Sequence, residues 1–236
     1  MPERPAGVEV DFLNITAEYF AQFHTTPDGR YGLVDESLVP SALVPMLHQI
    51  NGAIVRNLPD YSHVLIAGCL RTNDILRLLA AHRVDDIREA PLNRPRLSQA
   101  AYLAFSLAIA MNHMPVERIA AFSPWCKVAL SLAPRPSHGA LVARVRDPFY
   151  KALGEDTTGI RAALALTETA LDRRITAEGA TLFPMPEATL AASGLTLESY
   201  SQAPILIPSG ATPQNGHMNA DYGALCLGPI LDWVRA

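Results

Sequence analysis

His63-Val-Leu-Ile-Ala-Gly68 is the stretch on which the fold turns. It is a continuous apolar run of strand length closed by glycine, as expected of a parallel strand covered on both faces. Just beyond it, Thr72 or Asn73 stands where a residue can cap a helix running from Asp74 to about His82. Lys127-Val-Ala-Leu-Ser-Leu-Ala133 reads as a second central strand, stopped by Pro134-Arg-Pro-Ser137. Between the two runs, a helix with a broad apolar surface is expected over about 96–112. Arg118-Ile-Ala-Ala-Phe122 is expected to be a short extended segment. Ile160 to Leu171 has strong amphipathic spacing, and Ala180-Thr-Leu-Phe183 is a third strand, cut off by Pro184-Met-Pro186. A last helix is expected over about 219–234.

Upstream, Val8-Glu-Val-Asp-Phe-Leu13 alternates and predicts an early strand. Pro27-Asp-Gly-Arg-Tyr-Gly-Leu-Val34 predicts a turn feeding a short strand, with Asp28-Gly29 in the tight positions. Leu43 to Val55 has helical apolar spacing and predicts a helix ending near Asn57. Strand, helix, strand, long helix, strand, helix is the order that yields a parallel sheet between helices. The expectation is therefore an α/β fold, a three-layer α/β/α sandwich with a mostly parallel sheet, in one domain over 1–236.

Composition narrows the function. A 49 % hydrophobic content supports a sizeable core, and 18 % charged residues is far from a disordered chain. The net charge of −4, without any Lys/Arg run, offers nucleic acid no basic face. The N-terminal MPERPAGVEVDF lacks the basic start and apolar run of a signal peptide, and Ala100–Met111 is too short to span a bilayer. The three cysteines, Cys69, Cys126 and Cys226, have no zinc-like spacing and read as reduced thiols. A cytoplasmic protein is expected, with no membrane or nucleic-acid partner, no metal and no cofactor.

No GxGxxG, GxxxxGK[ST], GxSxG or HExxH occurs, so the usual dinucleotide, P-loop, hydrolase-elbow and zincin chemistries have no local motif. Ligands of open α/β sheets bind beyond the carboxyl ends of the strands. Four stretches should meet on that rim: Gly68–Asp74, Ala133–His138, Phe183–Pro186 and the loop into Gly216-His217. His24, His48, His63, His82, His113 and His138 read as surface or satisfied histidines. His217 differs, because it stands after a polar loop and directly before the last helix, where a general base can be held at the rim. Its plain alternative is a contribution to capping that helix near Asn219. Cys69 and Ser137, at strand ends, are the other candidate nucleophiles.

His217-Met-Asn-Ala-Asp-Tyr-Gly223 resembles the last block of SGNH (GDSL-like) hydrolases, in which a histidine and an asparagine precede an aromatic-Gly pair opening the terminal helix. Phe183-Pro-Met-Pro186 with Gly194-Leu-Thr resembles that family's late strand and proline-rich turn, and Val64–Gly68 with Asn73-Asp74 its Gly-x-Asn-Asp block. The resemblance runs from about Val8 to the C-terminus. It implies a serine-type ester hydrolase or acyltransferase acting on a small acylated or carbohydrate substrate. His217 would be the base, Gly68 and Asn73 the oxyanion side, and Gln214 the residue orienting the imidazole where the family usually has Asp. The family's nucleophilic serine follows its first strand. Val8–Leu13 corresponds to the second, so that serine would precede Met1 and little or no turnover is expected of this chain. The vacated slot would expose apolar surface, and a homodimer is one expected result. Two readings stand beside this one: a non-catalytic domain of the same fold that binds a glycan or acyl group, and an unrelated flavodoxin-like domain.

Overall fold

The computed structural model describes residues 7–14, 17–70, 72–89, 92–143, 148–201 and 218–236. The chain divides into two units, one of 1–62 with 121–127 and one of 63–120 with 128–236. In the first, β1 (His24–Thr25) and β2 (Arg30–Gly32) form a hairpin. Its turn holds Gly29 at φ +84°, where a Cβ would stand 3.1 Å from Pro59 and from the Trp125 ring. Only glycine meets both demands at no steric cost. After α1 (Leu43–Asn51), β3 (Val55–Asn57) pairs antiparallel with β2. Phe23, Leu33, Val39, Leu47 and Ile54 make the buried cluster of this unit.

Two expectations fail in the first unit. The helix predicted to continue to Asn57 ends at Asn51, because Gly52 turns left-handed at φ +70°, and Val55 then joins a sheet. Residues 8–14 are not a strand. The alternating Val10 and Phe12 are 45 % and 75 % exposed, so no buried face pins them. Side chains tether the segment instead: Tyr61 Oη donates to Asp11 Oδ2 at 2.6 Å, and Asn14 N to Asn51 Oδ1 at 2.6 Å.

The second unit contains β4 (His63–Cys69), α2 (Asn73–Ala81), β5 (Arg83–Val84), β6 (Arg96–Leu97), α3 (Gln99–Asn112) and α4 (Val116–Phe122), the last two residues of α4 and the first of the next strand falling in the first unit. It continues through β7 (Lys127–Leu132), α5 (His138–Ala143), α6 (Pro148–Glu155), α7 (Ile160–Ala177), β8 (Thr181–Phe183) and α8 (Ala220–Arg235). Its main sheet has the order β4-β7-β8, with β7 and β8 parallel in the register Ala129–Thr181 to Ser131–Phe183. Lys127 N donates to Ser62 O and Ala133 N to Cys69 O. Those bonds advance along β4 and β7 together, as they do between parallel strands. The three predicted strands are thus neighbours in one sheet of an α/β fold. β5 and β6 form a second, two-stranded parallel sheet.

The strand that reads most clearly in the sequence is not the central one. β4 forms an edge of the sheet among the described residues, with Val64 to Ile66 half-buried and Ala67 and Gly68 exposed. β7 lies in the middle, and its Val128, Ala129 and Leu130 are at most 3 % exposed. Arg118–Phe122, expected to be extended, is the body of α4, which starts right after Pro115. α3 starts at Gln99 because Ser98 Oγ accepts the Ala101 amide at 3.1 Å, while Arg96-Leu97 leaves as β6.

α7 packs on β8 and on α3. The α3–α7 seam is joined by polar atoms: Tyr102 Oη donates to Ala163 O at 3.0 Å, and Thr167 Oγ1 donates to Ser106 Oγ at 2.9 Å. No described helix is long and apolar enough to cross a membrane.

Candidate functional site

Parallel strands deliver their following loops to one end of the sheet, and a cleft of about 610 Å³ opens there. Gly68 reaches it from β4, Pro134 and Arg135 from the end of β7, and Phe183 to Pro186 from the end of β8. Three of the four predicted rim stretches therefore meet. The fourth, with Gln214 and His217, lies outside the described residues, but Tyr222 and Gly223 of the same block line the cleft from the first turns of α8. Asn219 caps that helix by accepting the Tyr222 amide at 3.1 Å. Asn219 is thus the N-cap, and the part weighed for His217 in that cap lies outside the described residues.

Gly68 stands at φ +75° with nothing within 4 Å of where a Cβ would be. Two residues on, the fully buried Leu70 is also left-handed, at φ +53°. A non-glycine residue held there is strained, and such strain gathers at functional loops. Asn73 is the first residue of α2 and is not among the residues lining the cleft. The cap position falls to Thr72, whose side chain makes no capping bond.

The candidate nucleophiles are poorly placed for attack. Burial pushes the Cys69 thiol up to about 11, and Ser137 is 2 % exposed, in a β-bridge with Thr196. Cys226 and Ser131 do line the cleft. Burial raises the Cys226 thiol, which disfavours the reactive thiolate. It also raises the neighbouring Tyr222 phenol, with the Cys226 thiol as the next cause. No three His, Cys, Asp or Glu side chains group as metal ligands among the described residues.

The charged groups of the cleft were not anticipated. Arg135, 2 % exposed, donates from Nη1 to Gly194 O at 2.6 Å and from Nη2 to Glu168 Oε1 at 2.6 Å. Arg161 pairs with Glu187 nearer the solvent. A guanidinium this deep is tolerable only because carboxylate and carbonyl replace its water. Arg161, Ala165 and Glu168 are spaced i, i+4, i+7 on α7 and so share one helix face. That spacing, together with an arginine set between two prolines at a strand end, was the available sequence signal.

No protein-family model, curated protein or solved structure matches this chain.

Proposed function

We propose that this chain is an SGNH-like ester hydrolase or acyltransferase, a three-layer α/β/α sandwich acting in the cytoplasm on a small acylated or carbohydrate substrate. One observation carries the reading: the cleft joins Gly68, the proline-rich turn after β8 and the Tyr222-Gly223 end of the His217 block. These are the three segments on which the resemblance rests. Phe183, Met185, Leu190 and Ile230 give an acyl group apolar walls. His217 is the base, the Gly68 backbone the oxyanion side, and Gln214 the acceptor that orients the imidazole.

A second reading, a domain of the same fold that binds such a ligand without turning it over, is favoured by the raised Cys226 thiol and by Ser131 lying within a strand. A fluorophosphonate probe and p-nitrophenyl octanoate separate the two. Serine labelling with hydrolysis lost in His217→Ala supports the enzyme. Octanoyl-ligand binding with neither labelling nor hydrolysis, and with affinity unchanged in His217→Ala, supports the binding domain. Hydrolysis that survives both His217→Ala and Ala165→Trp, the latter filling the cleft from α7, overturns the assignment of the site.

A further inference from the structure

Among the described residues four charged side chains line the cleft, and they cancel: Arg135 with Glu168 in depth, Arg161 with Glu187 nearer the solvent. Arg135 has little left to offer a ligand. Two of its nitrogens are bonded within the protein, and Nε is enclosed without a hydrogen-bond partner among the described residues. Glu168 is different. Its side chain is 17 % exposed, and a carboxylate has room for several acceptor bonds, of which Arg135 uses one oxygen.

We propose that Glu168, held and neutralised by Arg135, selects uncharged, hydroxyl-bearing ligands for the cleft. The inference rests on the cleft being the acyl-ligand site and names the ligand class within it. An anionic ligand meets the Glu168 carboxylate with no free cation at that depth among the described residues. A cationic ligand meets a carboxylate already compensated by Arg135, and loses its own hydration among apolar walls. A hydroxyl donates to Glu168 without either penalty, while its apolar segment lies against Phe183 and Ile230. A hydrogen bond to an ionised acceptor is worth about tenfold or more in affinity.

Three probes with the same tail test this by calorimetry on the full chain: octyl glucoside below its micelle concentration, octanoate and octylammonium. Wild type should bind octyl glucoside at least about tenfold more tightly than either ion. Glu168→Gln should lower octyl glucoside affinity about tenfold and raise octanoate affinity by a similar factor, because Arg135 is then left uncompensated. Ala165→Trp should abolish binding, which places it in this cleft. Should Glu168→Gln not fold, the wild-type ranking decides. Equal or tighter binding of either ion by wild type overturns the selectivity and leaves the acyl cleft standing. Saturation by none of the three overturns both.

Discussion

Arg88→Met should cost about 3–4 kcal/mol of stability, although Arg88 touches no part of the cleft. Its guanidinium is fully buried and bonds three backbone carbonyls: Nε to Leu79 O at 3.3 Å, Nη2 to Asp156 O at 2.7 Å, and Nη1 to Thr158 O. Leu79 lies in the last turn of α2, where a helix leaves its carbonyls without internal partners. Asp156 and Thr158 belong to the turn that starts α7. One fork therefore fastens the end of α2 to the start of the helix carrying Arg161, Ala165 and Glu168. Three charge-assisted bonds at about 1.5–3 kcal/mol each amount to roughly 5–9 kcal/mol gross. Methionine fills similar volume and removes the several kcal/mol that burying a cation costs, which leaves the net figure given. Urea unfolding followed by circular dichroism should show the loss, with Tm lower by about 6–12 °C. Arg88→Lys keeps the charge without the planar fork and should lose about as much. An Arg88→Met protein within 1 kcal/mol of wild type would refute the argument that this fork secures α7.

Two further outcomes are expected. Gly159→Ala should destabilise by about 3 kcal/mol or more and lower the folded yield, since Gly159 sits at φ +76° and an added Cβ would come 2.1 Å from Ile87 O; an alanine variant melting with wild type would contradict it. The second outcome is alkaline softening. The Cys69 thiol is raised from 9.0 to about 11, so the unfolded chain gives up this proton first. Its contribution is complete below pH 9 and falls by about 2.7 kcal/mol on the way to pH 11. Tyr61 and Tyr102, both raised from 10.0 to about 12, extend the decline above pH 10. Urea midpoints at pH 8 to 11 should show Cys69→Ala losing less than wild type between pH 9 and 10; parallel curves would count against the burial of this thiol.

What the sequence reveals and what it hides have one physical cause. Val128-Ala-Leu130 is legible because a strand buried on both faces must be apolar at every position, and the prolines that follow it stop the ladder wherever it lies. Val8–Leu13 misleads because alternation records which side chains share a face, whereas a strand exists only where a neighbour completes its hydrogen bonds. The helical spacing of 43–55 runs straight through Gly52, although the backbone there has already left the helix. Arg118–Phe122 is too short for either period to decide. The charged pair in the cleft lies deeper in this order of difficulty. Arg135 looks like a surface loop residue until Glu168, 33 positions later, is folded against it. Local sequence encodes the faces of single elements, and parallel topology then places residues remote in sequence side by side. The rim could therefore be foreseen as a place, because every parallel strand ends there. Its chemistry could not, because the charge of Arg135 acquires meaning only from the carboxylate that α7 brings to it.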